Sequence, residues 1–192
     1  MELQHINVKL LVENPADVGL EPLIPVFHNW IQNQVFEELL LDVADYRHVP
    51  EGPGVVLIGH QANYSVDNTD NRLGVRYNRK WPLDGGNADR LEQAARAALN
   101  ACERLQAEAR LGGKLRFNGR DVEVFINDRL VAPNGDGPRE AAEPELRKFL
   151  GRLFRGDDYS LSYGSDPRRL FGVRAKSSRA FTTAELLENL KF

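Results

Sequence analysis

The chain has 192 residues, of which 42% are hydrophobic and 28% charged, and its net charge is −3 at pH 7. This size and composition suit one globular domain or two small, closely packed ones. No apolar run approaches the ~20 residues that span a bilayer and the first residues lack the pattern of a signal peptide, so we expect a cytoplasmic protein without a membrane partner.

The first half of the chain, residues 1–80, predicts an acidic unit that begins with a strand and a helix. Ile6–Val12 alternates apolar and polar residues, as a half-buried strand does. Glu21-Pro22 precedes an apolar stripe of helical spacing that begins at Leu23, and proline is favoured where a helix starts. Further strands are predicted near Leu39–Asp45, Val55–Ile58, Gly59–Val66 and Leu73–Tyr77.

Residues 81–86, with one proline and two glycines, predict a linker, and residues 87–192 a basic half. This half opens with a long helix over about 88–111, whose facing positions are mostly small. Asn118-Gly119 lies between two strand patterns and predicts a type I′ hairpin turn. A second helix is predicted from Pro144, followed by strands and a short helix that starts at the capping box of Thr182.

The two halves share a weakly similar order of sequence patterns. In each, a strand is followed by Glu-Pro, an amphipathic helix and closing strands, from Ile6 to about Val75 and again from about Val122 to Lys176. We therefore predict an α+β fold with a mainly antiparallel sheet, helices on one face and two related βαββ halves. The alternative is that common patterning alone produced the resemblance between the halves.

Charge is distributed unevenly along the chain. Residues 1–70 carry two basic residues, Lys9 and Arg47, against eleven acidic ones, whereas nine basic residues lie within 146–179. Either the two halves attract each other, within one chain or between chains, or the basic half presents a face that binds anions.

A polar but uncharged helix face suggests a contact surface. His28, Asn29, Gln32 and Asn33 lie on one side of the first helix, where exposed helices more often carry Lys and Glu. Amides and imidazole suit a partly desolvated surface, so we predict an interface of a homo-oligomer here. A solvated helix face is the alternative interpretation.

A ligand site is predicted where a buried strand gives way to hydrogen-bonding residues. His60, Asn63 and Tyr64 follow such a strand, a common way to build a pocket floor. Arg76 and Arg174 occupy matching places in the two halves. They could hold one small anionic ligand across a groove between the halves, or each could pair with a nearby acid.

Other chemistry has little support in the sequence. Phosphate-binding glycine loops and the serine-hydrolase elbow are absent, the four histidines form no metal-ligand pattern, and we predict neither a cofactor nor a metal site. The single cysteine, Cys102, lies on an apolar helix stripe and predicts a core residue.

Three functional hypotheses follow. The first is a binding or scaffold protein with a groove for a small anionic ligand or a peptide. The second is an enzyme with His60 as general base and an arginine as anion anchor. The third, a nucleic-acid-binding module that uses residues 146–179, is disfavoured by the acidic pI of about 5.9 and by the lack of a recognition motif.

Overall fold

The computed structural model describes residues 1–191 and contains one eight-stranded antiparallel sheet with four α-helices. The strands are β1 (Ile6–Val12), β2 (Leu40–Tyr46), β3 (Gly54–Gly59), β4 (Ala62–Asp67), β5 (Gly74–Arg79), β6 (Phe117–Ile126), β7 (Tyr159–Tyr163) and β8 (Phe171–Ser177). The helices are α1 (Leu23–Asn33), α2 (Asn87–Ala107), α3 (Asp136–Leu153) and α4 (Thr183–Asn189). The predicted α+β class is confirmed.

The sheet runs through both halves of the chain without a break. Its strand order is β2-β3-β4-β5-β1-β6-β8-β7. The first strands of the two halves, β1 and β6, pair antiparallel at the centre, with Val8 opposite Val124. Residues of β1 in the first half therefore lie opposite residues of β6 in the second half.

The helices cover one face of the sheet and enclose the core. Side chains alternate along a strand, so Ile6, Val8 and Leu10 of β1 point to the helices and are buried. Helix α2 packs on β1 and β5, and its small buried residues, including Ala95, allow close approach. Cys102 is buried in this helix as predicted, and burial raises the pKa of its thiol.

The two halves of the chain have unequal connections. In the first, β1 and α1 lead to four strands, of which the last, β5, returns beside β1. In the second, β6 and α3 lead to two strands, of which β8 returns beside β6. The description of residues 1–80 as βαββ is incomplete, since β2 and β3 add a second hairpin.

Two local predictions were wrong. Asn118-Gly119 makes no hairpin turn: it lies inside β6, where the register with β1 shifts, and neither residue has a positive φ. Gly119 instead permits close packing, because a Cβ there would collide with the carbonyl oxygen of Phe181. Pro144 does not begin a helix either, because α3 starts earlier, at Asp136, where Pro138 fits the first turn.

Candidate functional site

The face of the sheet opposite the helices carries a row of charged side chains at its centre. The cross-strand partners are Arg76 of β5 with Lys9 of β1, Lys9 with Glu123 of β6, and Glu123 with Arg174 of β8. We call Arg76, Lys9, Glu123 and Arg174 the charged row. It crosses four adjacent strands, β5, β1, β6 and β8, and therefore joins the two halves of the chain.

Lys9 is the buried cation of this row. Its Nζ lies 2.5 Å from Oδ1 of Asp67, and the two side chains are only 2% and 3% exposed. The backbone and hydroxyl of Thr69 also donate hydrogen bonds to this carboxylate. Burial lowers the pKa of Lys9, and the charge of Asp67 opposes that shift.

Glu123 is a buried carboxylate shared by two arginines. Its Oε1 accepts from Nε of Arg72 at 2.6 Å and lies 3.1 Å from Nε of Arg174. Arg174 also reaches Asp70, at 3.3 Å, and Arg169 pairs with the same aspartate. These pairs connect loop 68–72 of the first half to β8 and its preceding loop in the second half.

Arg76 has the least complete set of partners in the charged row. Its Nη1 lies 3.9 Å from Asp67, and its guanidinium stands over the ring of Phe125 at 4.9 Å. Its Nε is buried and has no hydrogen-bond partner. Burial lowers the pKa of Arg76 against the attraction of its acidic neighbours. An unpaired buried N–H costs free energy, so this atom has capacity to bind a further acceptor.

A cavity of about 110 Å³ lies beside these groups. It is lined from the first half by Asp67 and Arg76 and from the second by Glu123, Phe125 and Arg169. The lining itself is balanced, with the cations Lys9, Arg76 and Arg169 against the carboxylates Asp67, Asp70 and Glu123. Arg72 and Arg174 pair with these carboxylates from outside the lining, so the ion-pair cluster as a whole holds five cations and three carboxylates. This local excess of positive charge favours an anion.

Of the five residues predicted to bind a ligand, only Arg76 lines the cavity, while Arg174 pairs with Asp70 and Glu123 of its lining. Arg76 and Arg174 lie on the same face and share the acidic groups between them. His60 is exposed at the turn between β3 and β4, where its ring lies 4.7 Å from that of Trp81. It is not among the residues that line the cavity.

Asn63 and Tyr64 are separated by the alternation of β4. Asn63 lies on the open face, and its Oδ1 accepts from the backbone of Gly59 at 3.4 Å. Tyr64 lies on the helix-covered face and donates to Glu38 at 2.9 Å. Adjacent residues of a strand point to opposite faces, so these two side chains do not share one pocket.

The predicted interface residues lie on the outer surface of α1. His28, Gln32 and Asn33 are exposed and Asn29 is partly buried. Asn33 donates to the carbonyl and side-chain oxygens of Asn29, at 2.9 and 3.1 Å. The side chains of Asn29 and Asn33, four residues apart, therefore hydrogen-bond to each other within the helix.

The basic segment 146–179 is spread over several elements and is largely paired with acids. Arg147 pairs with Glu143, Arg168 with Asp166 and Arg179 with Asp157. Arg169 and Arg174 belong to the site described above.

Sequence reasoning missed Lys9 and Glu123, and it considered Asp67 only as one of the acids, with Asp70 and Asp166, that could pair with the two arginines. The structure shows Arg76 beside Asp67 and Arg174 beside Asp70. The sequence did contain a signal. Lys9 and Glu123 each lie between two apolar residues of a strand, and Asp67 follows the apolar Val66 at the end of a strand. Charges almost never occur in central strands unless they are paired, so a lysine in one central strand and acids in two others indicate a shared cluster.

No protein-family profile, curated protein or solved structure matches the chain. Within residues 1–191, no helix is both long and apolar enough to cross a membrane. The same part of the chain holds no group of three or more His, Cys, Asp or Glu side chains arranged for a metal ion.

Proposed function

We propose that the protein binds a small anion, with a phosphate or carboxylate group held at the charged row between Arg76 and Arg174. The observation that carries this proposal is the buried Nε of Arg76, which lies without an acceptor in an ion-pair cluster of five cations and three carboxylates. A ligand oxygen would satisfy this donor and offset the charge excess.

The cations of the cluster differ in how fully their donors are paired, and this difference supports the proposal. Lys9 forms an ion pair with Asp67, and Arg72 forms an ion pair with Glu123. Arg169 and Arg174 are 56% and 45% exposed, and both share Asp70, so each retains donors that face solvent. The buried Arg76 and the accessible Arg169 line the cavity, and the accessible Arg174 pairs with two carboxylates of its lining. Arginines in such an arrangement suit bidentate capture of a compact oxyanion.

Calorimetric titration with inorganic phosphate and with succinate tests this proposal. Charge-assisted hydrogen bonds contribute about 1.5–3 kcal/mol each, so Arg76→Gln and Arg174→Gln should each weaken binding about tenfold or more. Arg168→Gln is the matched control, because Arg168 is 88% exposed and pairs with Asp166. Failure of the wild type to bind either anion, or equal losses in all three variants, would count against the proposal.

We also propose that the protein self-associates and that it is located in the cytoplasm. The polar face of α1 and the neighbouring edge strand β2, which exposes Leu41 and Tyr46, support a contact between copies of the chain. The single cysteine, Cys102, is a free buried thiol and suits a reducing compartment.

A further inference from the structure

A second, larger cavity lies on the opposite side of the sheet, between α2 and the connection from α1 to β2. Its volume is about 830 Å³, within the ~300–1,000 Å³ typical of small-molecule sites. Its lining includes Phe36, Glu38, Tyr64, Gln93, Ala97 and Arg104. We call it the Glu38 cleft.

Two buried tyrosines hold the carboxylate of Glu38 in place. Tyr64 and Tyr77 are cross-strand partners, and their hydroxyls donate to the two oxygens of Glu38 at 2.9 and 3.2 Å. Gln93 of α2 donates to the hydroxyl of Tyr77 at 2.9 Å. Both tyrosines are almost fully buried, so Glu38 is fixed by rigid groups of the sheet.

An aromatic wall adjoins this carboxylate. The ring of Phe36 stacks on that of Tyr64, with centroids 4.4 Å apart and planes 13° apart, and Trp30 meets Phe36 edge-on. The guanidinium of Arg104 lies 5.5 Å from the centroid of Phe36. A cation therefore already lies against one of these π faces.

Glu38 differs from the other acids of the cleft in its partners. Glu92 pairs with Arg96 and Arg152, Asp89 accepts from the backbone of Gly86, and Glu103 accepts from Gln106. Among residues 1–191, no cation lies within the 4.0 Å ion-pair distance of Glu38. A partly buried carboxylate without a counter-ion is costly unless a partner supplies one.

We infer that the Glu38 cleft binds an aliphatic polyamine. One ammonium group pairs with Glu38, the methylene chain lies along the partly exposed Phe36 and Ala97, and a second ammonium meets the acids that α2 contributes to the cleft. Ammonium groups bind carboxylates and aromatic faces, and the alkyl chain suits the apolar wall. This site lies on the other face of the sheet from the charged row and is independent of the proposed anion site.

Titration with spermidine and with 1,5-diaminopentane tests this inference, with 1,5-pentanediol as the uncharged counterpart of the diamine. We expect saturable binding of both amines and none of the diol. Glu38→Gln keeps one oxygen as acceptor for a tyrosine hydroxyl while removing the charge, and it should weaken amine binding about tenfold or more. Glu37→Gln is the matched control, since Glu37 is the adjacent, exposed acid on the cleft.

Nuclear magnetic resonance locates the bound amine, and a second variant, Phe36→Leu, tests the apolar part of the cleft. Amine-dependent shifts should concentrate at Phe36 and Ala97, and Phe36→Leu should weaken binding while the carboxylate remains. Absence of amine binding to the wild type, equal effects of Glu38→Gln and Glu37→Gln, or unchanged affinity in Phe36→Leu would overturn the inference. If Glu38→Gln does not fold, the result for Phe36→Leu decides it.

Discussion

Lys9 reaches Asp67 across a strand that lies between them. Their ion pair of 2.5 Å joins β1 to β4, although β5 separates these strands in the sheet. The lysine stem passes over Gly74, whose position is opposite both Leu11 and Asp67, and a Cβ at Gly74 would approach Lys9 Cε to 3.1 Å. A glycine in the middle strand thus permits a buried ion pair between its two neighbours.

The Lys9–Asp67 pair leads to the first prediction. Lys9→Met leaves Asp67 buried with only the more distant Arg76 as a cation, and losing one partner of a buried pair costs about 3–5 kcal/mol. The double variant Lys9→Met with Asp67→Leu should recover much of this loss, because neither charge remains. Urea denaturation measures both, and a double variant no more stable than the single one would contradict this interpretation.

A second prediction concerns the platform under Arg76. A Cβ at Gly172 would collide with the ring of Phe125, which lies beneath the guanidinium of Arg76. Gly172→Ala should displace this ring and weaken phosphate binding severalfold without removing any charge. Gly151→Ala is the control, since a Cβ there meets no atom within 4 Å and should stabilise α3 by up to about 1 kcal/mol.

The buried tyrosines predict how stability changes at alkaline pH. Burial raises the pKa of Tyr77 to about 12, so the unfolded chain, with an ordinary tyrosine pKa near 10, loses this proton first. The contribution of Tyr77 to stability is therefore fully present below about pH 10 and is lost as the pH rises toward 12. A pKa shift of about two units corresponds to about 2.7 kcal/mol.

Urea denaturation at a series of pH values compares the wild type with Tyr77→Phe. The variant should show a shallower fall in stability over this alkaline range. The comparison cancels the effect of Lys9, whose lowered pKa acts in the opposite direction. Parallel pH profiles for the two proteins would contradict the predicted role of Tyr77.

Self-association is the fourth prediction. If the polar face of α1 contacts another copy, sedimentation velocity should show concentration-dependent association at tens of micromolar, the range of weak contacts. Gln32→Glu places a charge on this exposed face and should shift the equilibrium toward monomer. A monomer at every concentration, for the wild type as well as the variant, would exclude the contact.

The sequence predicted the class of fold because the alternation of β1 and the apolar stripe of α1 are local signals. It failed at Asn118-Gly119 because the glycine serves a contact with Phe181, more than sixty positions away in the chain, rather than a local turn. That Arg76 and Arg174 lie on the same face of the sheet was predictable from the matching places of these residues in the two halves. Separation of Asn63 from Tyr64 was also predictable, since adjacent residues of a strand face opposite ways.

The remaining parts of the site depend on strand order, which local patterns do not determine. Glu123 meets Lys9 because β6 pairs with β1, and Asp67 meets Lys9 across β5, where Gly74 lies beside the lysine stem. His60 was predicted on the same pocket floor, yet the tight connection from β3 to β4 places it at the end of the sheet beside Trp81.

The most direct test of the anion site is the Nε–H resonance of Arg76 during titration with inorganic phosphate, followed by proton–nitrogen correlation spectra. This donor is buried without a partner in the free protein, so a bound oxyanion should shift its signal strongly and saturably, while the Nε–H signal of the exposed Arg168 stays nearly unchanged. No shift at Arg76, or equal, non-saturating shifts at Arg76 and Arg168, would contradict the proposal that the charged row binds an anion.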